Sequence, residues 1–403
     1  MKYSINEVKQ FVKEEDVKFI RLAFCDIYGK QKNISIMPGE LDRAFNYGIA
    51  FDASAVDGFG GDVHSDLMLR PDPSTLSVLP WRPEHGRVVR MFCDVLYPDG
   101  TQFECDVRSM LRKAEDMAKK DGISFVFGNE MEFYLFKTDD DGKALNEPYD
   151  NAGYMDIAPE DKGENVRREI CLTLEQMGII PESSHHEEGP GQNEIDFRYS
   201  SPLTAADDAV TFKAAVKTVA ARNGLYADFS PKPLEGKPGS GMHINISVKG
   251  RDENLLPYVL SGMLDRISEM TVFLNPSEQS FKRFGSQKAP LYITWSSENR
   301  SQLIRIPAAF GEYTRAELRS PDPGANPYIA YTLLIYAGLM GIKEHKELPP
   351  PADINLYSAS AEQLKRYHTL PRSLSEARQK ALKSEFISKY LPQTLINSYC
   401  GLY

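Results

Sequence analysis

The sequence predicts an α+β protein with two domains, and three observations support this. Segments with strand-like alternation recur between segments with helical periodicity. Several strand-like segments come in pairs joined by turn residues, as in hairpins. The length of 403 residues exceeds that of one typical domain. We therefore expect a small N-terminal domain over residues 1–97 and a larger domain over residues 98–403.

The N-terminal domain begins with a short predicted helix. Ser4 and Glu7 have the spacing of a capping box, and apolar residues follow at helical intervals. Residues 18–26 alternate and are rich in β-forming residues, and residues 31–36 can return beside them. Residues 51–73 are dense in Asp and Gly, which favours an ordered functional loop over a regular element.

The larger domain alternates predicted helices and strands. An amphipathic helix over residues 106–121 ends at Gly122. The apolar segment from Pro327 to Ile342 contains several polar and tyrosine side chains and is short for a membrane span, so a buried helix is expected. Ser373 and Glu376 predict the cap of a terminal helix that reaches Tyr390. The remaining predictions are helices near residues 160–177, 203–223 and 254–272, and strands near 124–136, 180–186, 192–199, 242–248, 291–296, 302–307 and 314–319.

Charge and cysteine content exclude several classes of function. The formal net charge is −10, which disfavours nucleic-acid binding because an acidic surface repels phosphates. The five cysteines are scattered and form no CxxC pair, so neither a disulfide framework nor a thiolate zinc site is expected. The N-terminus lacks the apolar stretch of a signal peptide, and we expect a cytoplasmic protein.

Two acidic motifs are the first candidates for chemistry. Glu130 and Glu132 lie two apart on a predicted strand, so both carboxylates share one face and repel each other unless a cation lies between them. Glu187 and Glu194 flank a Gly-Pro-Gly turn and can approach each other from two hairpin arms. A divalent cation bound by oxygen ligands would satisfy both motifs. A solvated strand face and a charged hairpin tip are the alternative interpretations.

A polar strand and a set of arginines complete the candidates. His243, Asn245 and Ser247 share one strand face after a glycine-rich turn, although a single histidine is usually a structural residue. No GxxxxGK[ST] motif occurs, so the turn is not a P-loop. The basic set comprises Arg300, Arg305, Arg315 and Arg319, the last two flanking Glu317 on one strand face. The alternative for this set is a salt-bridge ladder. Together, these motifs favour a two-metal phosphoryl-transfer site.

The chain resembles the glutamine synthetase family over nearly its full length. The matching stretches, in order, are VKFIRLAFCDIYG, FDASAVDGFGGDVHSDLMLRPD, GNEMEFYLF, HHEEGPGQNEIDFRY, GSGMHINIS, NRSQLIRIP and RAELRSPDPGANPYIA. The resemblance implies a small β-grasp-like N-terminal domain and a catalytic domain built on a curved antiparallel sheet. It also implies an ATP-dependent ligase that forms a γ-glutamyl amide from glutamate and an amine through a γ-glutamyl phosphate.

The resemblance also assigns roles to residues. One Mg²⁺ or Mn²⁺ ion would bind Glu132, Glu187 and Glu194, and the other would bind Glu130, His243 and Glu317. Glutamate would contact Arg283, Arg319 and Gly239, and the amine would lie near Asp52, Tyr154 and Glu187. The phosphates and nucleotide would be served by Arg300, Arg305, Arg315 and Ser247. Family enzymes form homo-oligomeric rings, commonly dodecamers, in which the loop carrying Asp52 reaches the neighbouring subunit's site.

Four departures from the family pattern affect the expected activity. Ala55 stands where a serine hydroxyl is usual, and Pro238 stands where an asparagine is usual. The flap Arg283-Phe284-Gly285-Ser286-Gln287-Lys288-Ala289-Pro290 is one residue shorter and has Lys288 in place of a glutamate. The C-terminal tail is also short, which puts the usual inter-ring contacts in question.

The flap departure matters most, because an ammonium substrate needs acidic neighbours to bind it and accept its proton. We therefore weigh three hypotheses: a ligase for an organic amine, which the flap favours; an ordinary glutamine synthetase that uses ammonia; and a catalytically weak paralogue that senses nucleotide or glutamate. The presence of all six metal ligands argues against the sensor, which needs no pair of metals.

Overall fold

The computed structural model describes residues 3–59, 65–82, 85–250, 254–286, 288–297, 299–307 and 315–402. The predicted α+β class is confirmed: helices and two largely antiparallel sheets make up these parts of the chain. Residues 60–64 of the Asp/Gly-rich stretch and Gln287 of the flap lie outside the described residues.

The first sheet belongs to the N-terminal region and has the strand order β2-β1-β6-β4-β3, with β5 paired to β6. Strand β1 runs antiparallel to β2 but parallel to β6. The predicted capping box begins the first helix, where the Ser4 N–H donates to Glu7 Oε2 at 2.7 Å. The elements are α1 Ile5–Glu14, β1 Val17–Cys25, β2 Gln31–Ile36, α2 Leu41–Asn46, β3 Ile49–Asp52, β4 Asp66–Pro71, β5 Ser77–Val78 and β6 Arg87–Leu96, with 3₁₀ turns at Pro38–Glu40 and Pro73–Thr75.

The second sheet carries most of the candidate residues and has the order β13-β14-β15-β12-β7-β10-β9, with β8 and β11 also paired to β7. Its strands are β7 Ser124–Thr138, β8 Ala144–Pro148, β9 Pro181–His186, β10 Gln192–Phe197, β11 Leu225–Asp228, β12 Met242–Lys249, β13 Trp295–Ser296, β14 Ile304–Arg305 and β15 Ala316–Leu318. The long central strand β7 therefore holds the sheet together, and most of its side chains are buried on both faces.

Three helices pack against strands of this sheet: α3 Val107–Lys120, α4 Glu164–Gln176 and α5 Pro202–Arg222. The described helices that follow are α6 Leu256–Leu274, α7 Glu278–Phe281, α8 Pro327–Lys343, α9 Ala361–Leu364, α10 Leu374–Leu382, α11 Glu385–Tyr390 and α12 Gln393–Cys400. A Cβ atom on Gly262 of α6 would lie 2.2 Å from the Ala337 carbonyl oxygen of α8, so the two helices pack backbone against backbone. The prediction of a buried helix over α8 is confirmed. None of the described helices combines the length and apolarity that a bilayer span requires.

Several sequence-based predictions of elements were wrong in detail. The stretch 51–73 was expected to be a loop, yet it contains the end of β3 and all of β4. The strand expected near 291–296 shortens to β13, and the single terminal helix divides because Ser384 caps a new helix, α11, by accepting from the Ile387 N–H. Strands β5, β6, β8 and β11 were missed. The domain boundary near residue 97 stays a prediction.

Candidate active site

Strand β7 presents two acidic side chains on one face of the larger sheet. Glu130 and Glu132 lie two residues apart, while Met131 between them is fully buried on the other face. Register then brings further side chains beside them, because β12 places His243 opposite Glu130 and β10 places Glu194 opposite Glu132. Residues far apart in sequence therefore meet on adjacent strands.

One predicted trio of metal ligands is brought together. Single ligand atoms of Glu130, His243 and Glu317 all lie within 4.8 Å of one another. His243 Nδ1 is 3.4 Å from Glu130 Oε2 and 3.4 Å from Glu317 Oε1. The Asn245 amide orients this group, since its Nδ2 donates to Glu130 Oε1 at 2.8 Å.

The second predicted trio is arranged differently. Glu187 and Glu194 come within 4.8 Å of each other together with His185 rather than with Glu132. Glu132 lines the same small cavity as Glu187, and its Oε2 accepts from the Gly241 N–H at 2.7 Å and from Gln192 Nε2 at 3.2 Å. The assignment of Glu132, Glu187 and Glu194 to one ion stays a prediction.

Two members of the cluster were missed at the sequence level. Asp196 groups with Glu130 and Glu194 within 4.8 Å and so links the two halves of the site. His185 lies opposite Glu194 in the β9–β10 hairpin. The signal was present for both: Asp196 follows Glu194 by two residues on the same strand, and His185 lies inside the hairpin motif.

The carboxylates in this cluster lack enough protein cations to balance them. Burial raises the pKa of Glu132 to about 8, with the charges of Glu194 and Glu187 adding to burial and the His243 charge opposing it. Burial and the charges of Asp196, Glu130 and Glu187 raise the pKa of Glu194 well above its usual range. Burial also acts on Glu130, but the His243 and Asn245 hydrogen bonds and the His243 charge lower its pKa to about 2.

The donor set fits divalent cations of the hard kind. Carboxylate oxygens, which make up most of this set, are the ligands that suit Mg²⁺ and Mn²⁺, and a cation would relieve the repulsion that raises these pKa values. Glu130, His243 and Glu317 form the best-defined of the candidate groups, because all three side chains point to one location.

Arginines border the cluster on the β14–β15 side. Arg305 Nε donates to Glu317 Oε2 at 2.6 Å, and Arg319 Nη1 donates to the other oxygen of the same carboxylate. Arg315 Nε donates to Asn245 Oδ1 at 3.0 Å. Arg300 lies exposed in the turn before β14 and forms no ion pair with the described residues of the cluster. The set is thus partly a salt-bridge ladder centred on Glu317.

A second group of buried donors lies beside the carboxylates. A Cβ atom on Gly239 would lie 2.6 Å from Arg283 Cγ, so only glycine permits this close approach. Arg283 is buried, and its Nη1 donates to the Ser320 carbonyl oxygen at 3.2 Å, but its Nε has no partner among the described residues. The same part of the chain offers no partner to the buried Nε of Arg319 or Oγ of Ser240. Buried donors without partners are costly, which indicates that a polar ligand completes them.

Lys288 fills the remaining space between the acidic cluster and the flap. Its Nζ is 2.9 Å from Glu188 Oε1 and 3.6 Å from Glu187 Oε2, and it lies 4.6 Å from the centre of the Tyr154 ring. Its backbone has a φ of 67°, a left-handed conformation that is unfavourable for lysine. The cavity that it lines with Arg283 keeps a free volume of only about 10 Å³.

Two predicted site residues lie apart from this cavity. Asp52 is exposed at the end of β3 in the N-terminal sheet, where its Oδ1 accepts from the Ser54 N–H at 2.9 Å and from the Ser54 hydroxyl at 2.6 Å. Ser247 lies on the same face of β12 as His243 but two positions beyond Asn245, and it pairs in register with Val126. Within one chain, Asp52 therefore cannot be assigned to the same cavity as Glu187.

The fold and this site together define the class of protein: a ligase-type scaffold in which a curved antiparallel sheet presents acidic, imidazole and guanidinium groups for metal-assisted phosphoryl transfer. The glutamine synthetase β-grasp domain model matches residues 16–98, and the glutamine synthetase catalytic domain model matches residues 104–402.

Similar proteins agree with this class. Glutamine synthetase from Clostridium saccharobutylicum is 43% identical over 414 residues, covering 99% of this chain and 94% of that protein. Glutamine synthetase from Methanosarcina mazei is 43% identical over 409 residues, covering 98% and 92%. A solved structure of GmaS in complex with ADP superposes with a TM-score of 0.88 at 27% identity, covering 98% of this chain and 94% of that one.

The chain belongs to the glutamine synthetase family. It is an ATP-dependent ligase of the glutamine synthetase type, and enzymes of this family use ATP and divalent metal ions. The predicted family and the β-grasp fold of the N-terminal domain are thereby confirmed.

Proposed function

We propose that this ligase joins the γ-carboxylate of glutamate to a primary alkyl amine, with ATP as the phosphoryl donor. The observation that carries the proposal is the position of Lys288. Its side chain is itself a primary alkylammonium, and the flap holds it against Glu188, Glu187 and the face of Tyr154. Two carboxylates and an aromatic face are the groups that bind such a cation.

Lys288 also disfavours ammonium as the acceptor. Burial alone would lower the pKa of Lys288, but the hydrogen bond to Glu188 and the charges of Glu187 and Glu188 raise it above its ordinary value. Lys288 therefore stays protonated and cannot take a proton from the incoming amine. Ammonium binds through charge and hydrogen bonds only and competes poorly with a resident cation, whereas an alkyl amine also gains apolar contact.

The Tyr154 ring can supply that apolar contact, since its centre lies 4.6 Å from Lys288 Nζ. Tyr154 is 46% exposed, and Met155 and Ile157 in the same segment are 58% and 74% exposed. An amine with a short alkyl chain would displace the lysine head from the carboxylates and rest its carbons on the Tyr154 ring.

The reaction has two balanced steps. An oxygen of the glutamate γ-carboxylate bonds to the γ-phosphorus of ATP and the bond to ADP breaks, giving an acyl phosphate. The amine nitrogen then bonds to the acyl carbon, inorganic phosphate leaves, and the nitrogen gives up a proton. Carboxylate is a poor acceptor because its leaving group would be oxide, so the phosphoryl group supplies the leaving group.

We assign the acidic cluster to two divalent cations, Mg²⁺ or Mn²⁺. Glu130, His243 and Glu317 would hold one, and Glu132, Glu187 and Glu194 the other, with His185 and Asp196 adjacent. Bound there, the cations would neutralise the anionic reactants and the developing charge on the transferring phosphoryl group. In their absence the carboxylates repel the phosphates.

The surrounding cations and donors would hold the substrates. Arg305 and Arg315, with Arg300 at the entrance and Ser247 further along β12, would serve the nucleotide and phosphates. The buried, incompletely paired Arg283 and Arg319 and the close-packed Gly239 would hold glutamate. Among the described residues, the buried Nε atoms of Arg283 and Arg319 have no hydrogen-bond partner, which supports their assignment to glutamate.

We assign the removal of a proton from the amine to Glu187 and Asp52. Glu187 already lies against the Lys288 ammonium group. Asp52 is exposed on the N-terminal sheet, so we propose that it serves the site of a neighbouring subunit in a homo-oligomeric ring. Hydrogen bonds from the Ser54 hydroxyl and backbone lower the pKa of Asp52, which keeps it ionised and able to bind a cationic amine.

Two sets of relatives bear on the choice of amine. Two solved structures of GmaS, a γ-glutamylmethylamide synthetase, match this fold at TM-scores of 0.88 and 0.86. This similarity supports an alkyl amine as the second substrate. The curated relatives at 40–43% identity are glutamine synthetases, which favours ammonia as the second candidate.

Phosphate release with ATP, glutamate and a panel of amines separates the two candidates. We expect methylamine or ethylamine to give the higher kcat/KM and ammonium the lower one, at equal concentrations of the neutral base. Ammonium that saturates at low concentration and outperforms every organic amine would overturn the proposal. Tight ATP binding without phosphate release under any amine would instead favour the sensor.

A further inference from the structure

His186, the last residue of β9, connects two segments that border the candidate active site. Its side chain is fully buried, and its two ring nitrogens bond to different parts of the chain. Nδ1 lies 2.7 Å from the Glu187 carbonyl oxygen, and Nε2 lies 2.9 Å from Asp150 Oδ1. Neither His186 nor Asp150 is among the proposed metal or substrate ligands.

The bonds made by Asp150 indicate that the His186 ring carries hydrogen on both nitrogens. Asp150 Oδ1 also accepts from the Gly191 N–H at 2.9 Å, and Oδ2 accepts from the Lys162 N–H at 3.1 Å. A carboxylate whose two oxygens both accept backbone hydrogens is held in its ionised form. Because a carbonyl oxygen and a carboxylate can only accept, both His186 nitrogens donate and the ring is a cation. Asp150 balances this buried charge.

The segment that carries Tyr154 is attached to His186 at both of its ends. Asp150 precedes Tyr154 and bonds to the imidazole ring. Met155 follows it, and its N–H donates to the His186 carbonyl oxygen at 3.0 Å. Met155 has a φ of 60°, a left-handed conformation that is unfavourable for methionine and persists only where the surroundings fix it. The position of Tyr154 therefore depends on one residue of the neighbouring hairpin.

We propose that His186 is a positioning residue that sets the separation between Tyr154 and Glu187. These two residues form the aromatic and acidic walls of the amine pocket, an assignment that rests on the proposed function. The ring bond to the Glu187 carbonyl oxygen fixes the acidic wall, and the bonds to Asp150 and Met155 fix the aromatic wall. The amine needs both walls at once, because its nitrogen contacts the carboxylate while its carbons contact the ring.

A second buried ion pair in the same region provides a matched control. Asp161 pairs with Arg167, and Arg167 Nη1 also donates to Asn193 Oδ1 of β10 at 2.7 Å. Asp161 is likewise buried, and one of its oxygens lies within 4.8 Å of a His186 ring nitrogen. Among the described residues, its carboxylate bonds to Arg167 and to the Gly163 N–H rather than to the walls of the amine pocket.

Steady-state kinetics of the full-length protein, with methylamine as the varied substrate, tests this role. We expect His186→Gln to raise KM for methylamine about tenfold, because a glutamine amide can donate in only one of the two directions. Asp150→Asn should raise KM by about the same factor, since it removes the charge that holds the ring. KM for ATP should change by no more than about twofold, because the residues assigned to the nucleotide lie elsewhere on the sheet.

A double variant shows whether the two residues act as one unit. If Asp150 acts through the His186 ring, the two substitutions together should raise KM about as much as either alone, rather than by their product of about a hundredfold. Asp161→Asn should lower the melting temperature, because it leaves Arg167 unbalanced, but should leave KM for methylamine unchanged. Asp150→Asn preserves the shape of the side chain, so it keeps the test valid if His186→Gln proves unstable.

Three results would overturn the inference. They are an unchanged KM for methylamine in both folded single variants, a multiplied effect in the double variant, and an equal rise of KM in Asp161→Asn, which would mean that any loosening of the hairpin suffices. The proposed function is tested separately, because it concerns which amine the unaltered chain prefers. If that amine is ammonium, the same KM ratios measured with ammonium still test the role of His186.

Discussion

Two acid-rich regions of this molecule are built on opposite principles. At the domain junction, Arg108 forms ion pairs with Asp72 at 2.8 Å, Asp94 at 3.1 Å and Asp207 at 2.9 Å. On the catalytic sheet, carboxylates outnumber the cations that contact them. The first region has its charges balanced by the chain itself, whereas the second has an excess of negative charge.

The pKa shifts follow this difference. Burial acts to raise the pKa of Asp72, but the Arg108 charge and the hydrogen bonds from Ser74 and Arg108 hold it below the ordinary value. The pKa of Glu132 rises to about 8 because burial and its acidic neighbours dominate. A buried carboxylate with its own arginine is a structural device, whereas one without a partner indicates a ligand that supplies positive charge.

The largest effect is expected on the catalytic sheet. Glu130→Gln or Glu317→Gln should lower phosphate release about 10³-fold or more, because each removes a charged ligand from the proposed metal trio. Because Glu130 pairs with His243 and Glu317 pairs with Arg305 and Arg319, melting curves must show that each variant stays folded at the assay temperature. Glu182→Gln, an exposed acid at the start of β9, is the control. Near-normal turnover in either site variant would show that this trio holds no required cation.

Substitutions in the Arg108 region at the domain junction should lower the stability of the fold. Arg108→Met should lower the free energy of unfolding by about 3–5 kcal/mol, because it leaves buried carboxylates without their cation. Arg112→Met removes a more exposed arginine from the same aspartates and should cost much less. Chemical denaturation measures both. Equal losses in the two variants would contradict the distinction between balanced and unbalanced regions.

Lys288 is the one described lysine that contacts the acidic cluster. Replacing it tests whether the charge at this position controls the choice of amine. Lys288→Glu should shift the preference between ammonium and methylamine by about tenfold towards ammonium, because an added carboxylate favours the smaller cation. Lys282→Glu, which changes an exposed lysine directly before the flap, is the control. The ratio of kcat/KM values is the measurement. An unchanged ratio would remove Lys288 from amine selection.

The smallest expected effect concerns Asp208. A carboxyl group whose pKa is raised by folding destabilises the protein increasingly as pH rises from its unfolded value, about 4, to its folded value of about 7. Asp208→Asn should therefore match the unaltered chain near pH 4 and melt a few degrees higher near pH 7. Melting curves across this range test it, and a difference that is independent of pH would contradict the assigned cause.

The sequence predicted which acidic side chains share a strand face better than it predicted the short strands, and strand geometry explains why. Alternation placed Glu130 and Glu132 on one face, and the turn at residues 189–191 paired Glu187 with Glu194. Sequence reasoning missed His185 and Asp196, because which side chains join the cluster depends on which strands become neighbours. Short strands such as β8 and β11 were missed because they form only by pairing with the long β7.

The helical tail illustrates the same limit. Ser373 was predicted correctly as a cap, since its side chain accepts from the Glu376 N–H at 3.2 Å. Ser384 caps the next helix, and its hydroxyl also donates to Glu269 of α6. That tertiary contact fixes the break in the helix, and local sequence did not reveal it.

Titration calorimetry of Mn²⁺, with and without ATP, tests most directly whether the acidic cluster is built for divalent cations. We expect Mn²⁺ to bind the unaltered chain, to strengthen ATP uptake, and to lose at least one site per chain in Glu317→Gln. ATP uptake of equal affinity in the presence of a chelator, with no Mn²⁺ site lost in that variant, would contradict the account.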